Sequence, residues 1–152
     1  MKKSDFERMV DNAFIGLARK YKFKKVETKF EQRGCVVRYQ NATTELALNY
    51  ELGGKPWLTI GDVEKPENRS TLGWLLVELG VERAPSVEQA FHPVTLADAE
   101  LEAALQKMTA DVQEHGVALL KGDFTLMPKL QARSRKYALD CKRVMAVRKA
   151  KK

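Results

Sequence analysis

Histidine and cysteine, the usual carriers of catalysis and of transition-metal binding, are scarce in this chain: two of each in 152 residues. Cys35 and Cys141 lie far apart and in no C-x-x-C pair, which excludes a disulfide framework and leaves each reading as a small buried hydrophobe. His92 and His115 have no ligand-type partner at helical spacing, and H-E-x-x-H is absent, so no metal site is expected. The G-x-S-x-G elbow of serine hydrolases, the P-loop and G-x-G-x-x-G are also missing, so neither catalytic nor cofactor residues are assigned. Long apolar runs are lacking too. The longest strongly apolar stretch is Trp74–Val77, far short of a bilayer span. The opening MKKSDFERMV has lysines but no apolar core, so it does not read as a signal peptide, and the expected location is cytoplasmic with no membrane partner.

What is present is an ordinary globular composition, 44% hydrophobic and 31% charged, long enough for one domain with its own core. The net charge of +7 is unevenly spread. Residues 1–30 carry nine Lys/Arg against four Asp/Glu, residues 31–128 eight against fifteen, and residues 129–152 ten against one. The middle is therefore acidic and both ends are basic, an asymmetry that bears on partners and not on fold.

Hydrophobic spacing predicts the elements. Ser4 with Glu7 has the form of a capping box before Phe6, Met9, Val10, Ala13, Phe14, Leu17 and Tyr21, which predicts an amphipathic helix over 5–20. The period then becomes two. Val26, Thr28 and Phe30 form one face of a first strand, Cys35, Val37 and Tyr39 of a second, and Leu46, Leu48 and Tyr50 of a third, with Trp57–Ile60 as a fourth. Residues 61–70, with Pro66, read as a loop, and Thr71–Leu79 as a short helix closed by Gly80. Residues 81–94 form a connector. Thr95 and Asp98 open a long helix with Leu101, Leu105, Met108, Val112 and Leu119 in one stripe, which Gly116 interrupts and Gly122 ends. Asp123 caps a last helix with Leu126, Leu130, Tyr137, Cys141, Val144 and Met145 on its apolar arc.

The expectation is an α+β fold: an N-terminal helix, a four-stranded antiparallel meander, then three helices packed against the sheet, with the first and last long helices covering it. One domain spans 1–145, and 146–152 form a basic end that frays.

Within the acidic middle, Glu45, Glu51, Asp62, Glu64 and Glu67 are the candidate partner-binding residues, with Trp57 or Trp74 as an aromatic anchor if exposed. Asp62, Glu64 and Glu67 are spaced irregularly around Lys65, which suits a solvated loop better than a metal site. The basic ends give a second candidate set: Lys22, Lys24, Lys25, Arg38, Arg135, Lys142 and Arg143, the first four interleaved with Tyr21, Phe23, Phe30 and Tyr39 in a manner compatible with nucleic acid. On the last helix, Lys129, Arg133, Lys136 and Arg143 flank the apolar arc on one side and Arg135, Lys142 and Lys149 on the other.

Three local patterns carry a resemblance. A helix runs into Tyr21-Lys22-Phe23. Two strands read Val37-Arg38-Tyr39-Gln40-Asn41 and Leu46-Ala47-Leu48-Asn49-Tyr50-Glu51, and a late helix ends in Leu119-Leu120-Lys121-Gly122-Asp123-Phe124. In these the chain, from Tyr21 to Leu126, resembles small bacterial α+β proteins of unknown function, among them immunity proteins of polymorphic toxin systems. The resemblance implies a protein that binds and occludes a protein partner and performs no reaction. The expectation is thus a non-enzymatic binding protein. A nucleic-acid-associated protein using the basic ends is the alternative, and an enzyme with a dispersed site the second alternative. An edge strand or the last helix offers a route to self-association, and the oligomeric state is left open.

Overall fold

The computed structural model describes residues 2–91 and 94–151; the expectation for His92 lies outside the described residues. The N-terminal periodicity forms α1 (Lys3–Tyr21), which buries Phe6, Val10, Phe14 and Leu17. Ser4 lies inside this helix and caps nothing; Lys2 precedes the first turn. Lys22 closes the helix in the left-handed conformation, with φ of 62°.

Five strands follow, not four: β1 (Lys24–Glu31), β2 (Gly34–Gln40), β3 (Thr44–Glu51), β4 (Trp57–Asp62) and β5 (Arg69–Thr71). They pair antiparallel in the order β1-β2-β3-β4-β5. The fifth strand spans the end of the segment expected as a loop and Thr71, expected as the first residue of the short helix. Its three residues, Arg69-Ser70-Thr71, carry no apolar alternation, and pairing of Ser70 with Ile60 is what makes them a strand.

On the inner face Cys35, Val37 and Tyr39 of β2 meet Leu46, Leu48 and Tyr50 of β3 and Leu58 and Ile60 of β4, all buried. The N-terminal helix covers this face, and two ring stacks fix it there: Phe6 on Tyr50 at 4.8 Å and Phe14 on Tyr39 at 5.1 Å between centroids. Gly34 opens β2 because a Cβ there would sit 2.4 Å from the Tyr50 carbonyl oxygen.

The first strand departs from the expected phase. A bulge between Lys25 and Glu27 shifts its register, so Val26 is 52% exposed, while Lys25 lies opposite Tyr39 on the inner side. Thr28 and Phe30 keep the inner phase, opposite Val37 and Cys35.

Helix α2 (Leu72–Glu78) packs against β4 and ends where Gly80 takes positive φ. A 3-10 turn, Val87–Phe91, interrupts the connector. Helix α3 (Asp98–His115) buries Leu101, Leu105, Met108 and Val112 and packs on α1. Its first turn is closed by Glu100, whose carboxylate accepts from the Ala97 amide; Thr95 takes no part. The break at Gly116 leaves a one-turn helix, α4 (Val117–Leu120).

Helix α5 (Met127–Ala150) does not cover the sheet. It runs beside the β5 edge and α2, and only Met127 and Leu130 are buried. Leu126, Tyr137, Cys141 and Val144 of the expected arc are half-buried, and Met145 is exposed. Trp74 meets Tyr137 edge-on at 5.4 Å, the Tyr137 hydroxyl donates to the Ser86 carbonyl, and Arg148 stacks over Phe91 while pairing with Glu88. Among the described residues, no helix is long and apolar enough to cross a membrane.

Candidate functional site

With the helices gathered on the inner face and at the β5 edge, the outward face of the sheet is left open. Strand alternation sends Arg38, Gln40, Glu45, Ala47, Asn49, Trp57 and Thr59 to this side. The loop after β4 and the first turns of α5 rise along one border, and the result is a concavity of about 870 Å³. Gln131 of α5 holds that border, its amide donating to the carbonyls of Glu67 and Arg69 at 2.9 and 3.2 Å. These bonds also occupy part of the free edge of β5.

The floor is preorganised by bonds between neighbouring strands. The Arg38 guanidinium donates to Glu45 at 2.7 Å and lies 3.3 Å from Glu27, and the Gln40 amide donates to the other Glu45 oxygen at 2.6 Å. The Asn49 amide reaches the Thr59 hydroxyl at 3.3 Å. Each partner is fixed by register: Gln40 lies opposite Glu45, Glu27 opposite Arg38, and Ala47 opposite Thr59.

Trp57 stands at the rim, 41% exposed, where β5 has ended and gives β4 no neighbour. It borders the large groove and two smaller recesses. One, of about 410 Å³, opens between β4, α2 and α3 over Leu58, Leu76 and Met108; the other, of about 440 Å³, lies over Val36 and Tyr50. A large aromatic ring at the junction of three concavities suits an anchor. Trp74 is half-buried against Tyr137.

Three of the five acidic candidates line the groove. Glu45 lies in its floor, and Asp62 and Glu67 in its wall. Asp62 accepts from the Glu64 amide at 2.9 Å, shaping the loop. Glu51 is exposed at the end of β3 beside the recess over Tyr50, and Glu64 is exposed outside all three concavities. Arg69 and Arg135 line the groove as well and have no acidic partner among the described residues, so the surface carries both signs of charge.

The basic candidates do not converge. Lys22, Lys24 and Lys25 lie by the β1 edge, whereas Arg135, Lys142 and Arg143 lie on α5 beside the opposite edge. Lys25 is tied to Glu7 at 2.8 Å and Asp11 at 2.9 Å, and Arg38 to Glu27 and Glu45, so neither is a free cation. Lys22, Lys24, Arg135 and Lys142 are exposed and have no acidic partner among the described residues; Arg143 lies 3.8 Å from Asp140.

Two cysteines and one histidine fall among the described residues outside the large groove. Burial, with the Glu7 charge behind it, pushes the Cys35 thiol up to about 11, so it is a neutral thiol at physiological pH. His115 lies 3.7 Å from Glu114. Among the described residues, no group of three His, Cys, Asp or Glu side chains is placed to hold a metal ion.

Gln40, Asn49, Thr59 and Gln131 were not singled out by sequence. The signal for the first three is their place at the polar positions of alternating strands; for Gln131 the sequence holds none, because its role depends on where α5 docks. Fold and site together define an α+β protein with one uncovered, mixed-charge sheet face. Comparison with known protein families, curated proteins and solved structures finds no match to this chain.

Proposed function

We propose that this chain is a non-enzymatic binding protein, immunity-like in action, that occludes a protein partner on the uncovered face of its sheet. The observation that carries this reading is the preorganised groove of about 870 Å³ with the exposed Trp57 at its rim. Its floor groups already hold one another, so docking costs little side-chain ordering. Trp57 supplies a buried-on-binding aromatic contact, the residue type that dominates interface energetics. Asp62 and Glu67, which have no cationic partner among the described residues, favour a partner that presents lysine or arginine there, such as a basic nuclease toxin, and Arg69 favours an acid beside it.

A photo-crosslinking residue at Asn49, used in the source cells, identifies the partner, and its affinity is then measured with purified proteins. Trp57→Ala weakens binding at least tenfold and Thr59→Arg, placed in the groove floor, abolishes it, while Lys22→Ala on the far edge leaves it unchanged. Equal affinities for all four proteins would overturn the proposal.

A further inference from the structure

The solvent face of α5 is ordered in a way that neither the groove nor the core accounts for. Three lines run along it at seven-residue intervals, a spacing that returns to nearly the same side of a helix. Lys129, Lys136 and Arg143 form one line, and Arg135, Lys142 and Lys149 another. Between them lies a strip of small or apolar residues, Ala132, Leu139 and Ala146. At about 100° per residue the two cationic lines stand about 60° to either side of the strip, with successive members about 10 Å apart along the axis. All nine residues are exposed.

The pairing of charges on this helix is one-sided. Arg133 and Arg148, which face the body of the protein, are matched by Glu78 and Glu88. Of the six cations in the two outer lines, five have no acidic partner among the described residues, and Arg143 has only Asp140 at 3.8 Å. That aspartate is the single acid on α5. A protein that neutralises its inward cations and leaves the outward ones unmatched presents a surface for a polyanion.

We propose that this face of α5 binds duplex DNA of the B form, seated in the major groove, with each cationic line on the phosphates of one strand. The B-form major groove is about 12 Å wide, the width of a helix with its side chains. The 24 residues of α5 extend about 36 Å, close to one turn of duplex. The strip of Ala132, Leu139 and Ala146 permits close approach to the groove floor, and Leu139, 53% exposed, offers an apolar contact to thymine methyl groups. The deep, narrow major groove of duplex RNA does not admit a helix. An anionic membrane surface is disfavoured because interfacial helices set bulky apolar residues against lipid, and this strip holds only one. The site is separate from the sheet groove; Arg135 alone belongs to both.

The test is fluorescence anisotropy of the full chain with a mixed-sequence 24-base-pair DNA duplex at several salt concentrations. Six phosphate contacts give a slope of about −5 for log K against log salt, a loss of about a thousandfold between 50 and 200 mM. Replacing either line with glutamine (Lys129→Gln, Lys136→Gln, Arg143→Gln, or Arg135→Gln, Lys142→Gln, Lys149→Gln) halves that slope, and replacing both removes binding. Leu139→Glu also removes it. All these positions are exposed, and an unchanged melting temperature confirms that each variant folds. Lys22→Gln with Lys24→Gln on the β1 edge leaves affinity within twofold, and Trp57→Ala, which weakens the sheet groove, leaves DNA binding intact. Absence of salt-dependent binding, persistence of binding after both lines are neutralised, or tighter binding to duplex RNA or to phosphatidylserine vesicles would overturn the proposal.

Discussion

Asp11 of α1 accepts a hydrogen bond from the Tyr39 hydroxyl of β2 at 2.8 Å and, through its other oxygen, one from the Lys25 ammonium of β1 at 2.9 Å. One carboxylate thus ties a helix to two strands. Glu7, one helical turn earlier, binds Lys25 at 2.8 Å and the Thr28 hydroxyl at 3.2 Å. The bulge in β1 exists in register with this network: it brings Lys25 to the inner side, where both acids wait, and turns Val26 out to water. The two helix carboxylates thereby share one ammonium, in addition to the hydroxyl each already accepts from.

Asp11→Ala should destabilise the fold by about 1–2 kcal/mol, of which the Tyr39 bond contributes about 1 and the partly exposed ion pair the remainder. Arg8→Ala, which breaks only an exposed pair with Asp5, should stay within about 0.5 kcal/mol of the parent. Urea denaturation of both variants at neutral pH checks the difference. Equal midpoints would mean that Asp11 holds nothing together.

Alkaline pH should undo the fold, and the direction follows from three groups on this inner side. Burial, with the Glu7 charge added, raises the Cys35 thiol from an ordinary 9.0 to about 11. Burial and then the bond to Asp11 raise the Tyr39 phenol above its usual range. For Lys25, burial acts to lower the value, and the combined bonds and charges of Glu7 and Asp11 outweigh it and raise it. Each group holds its proton more tightly folded than unfolded. Its contribution is therefore complete below the unfolded pKa and is lost as pH climbs towards the folded one. The urea midpoint should be level from neutral pH to about 8.5 and then fall steadily between about 9 and 11. Cys35→Ala should delay the onset by about one pH unit, because Tyr39 and Lys25 begin to titrate only near 10 when unfolded. A level profile up to pH 11 would contradict this account.

The second and third strands were legible in the sequence because Cys35, Val37 and Tyr39, then Leu46, Leu48 and Tyr50, take every second position on the buried face. The first strand was legible only as a strand. Glu7 and Asp11, the partners its bulge brings to Lys25, lie 18 and 14 residues away, and local alternation carries no trace of them. The fifth strand was hidden because three residues give too short a period to read and Arg69-Ser70-Thr71 looks like any turn. The last helix read as a cover for the sheet because its apolar arc spans several turns, yet that arc rests on Trp74 and the connector at Ser86. The five acidic candidates were found by composition, and three of them, Glu45, Asp62 and Glu67, share a groove because antiparallel register places residues far apart in the chain side by side. Charge composition did not reveal that Arg38 shares that floor as the partner of Glu45, since pairing across strands is set by register and not by local sequence.

Asn41 joins three parts of the chain, and its loss should be felt in all of them. Its side-chain oxygen accepts from the amides of Thr43 and Thr44 at 3.0 and 2.8 Å, which shapes the turn between β2 and β3. Its amide donates to the Tyr21 carbonyl at the end of α1, at 3.0 Å, and to the Leu120 carbonyl at the end of α4, at 3.2 Å. Beside it the Thr44 hydroxyl, fully buried, donates to the Leu119 carbonyl at 2.6 Å. Gly122 completes the junction: its φ is 90°, and a Cβ there would lie 2.8 Å from that of Thr43. Asn41→Ala leaves four backbone groups without their partner and should cost about 2–3 kcal/mol. Gly122→Ala forces a left-handed backbone on a residue with a side chain and pushes it into Thr43, and should cost about 1–3 kcal/mol. Both changes loosen the same junction, so the double variant should lose less than the two single losses added. Chemical denaturation of the three variants measures that shortfall, and strict additivity would show that Asn41 and Gly122 act independently. Hydrogen exchange should show the same junction opening in the Asn41 variant, with faster exchange of the Thr43 and Thr44 amides and of the Gly122 and Asp123 amides that bond back to α4.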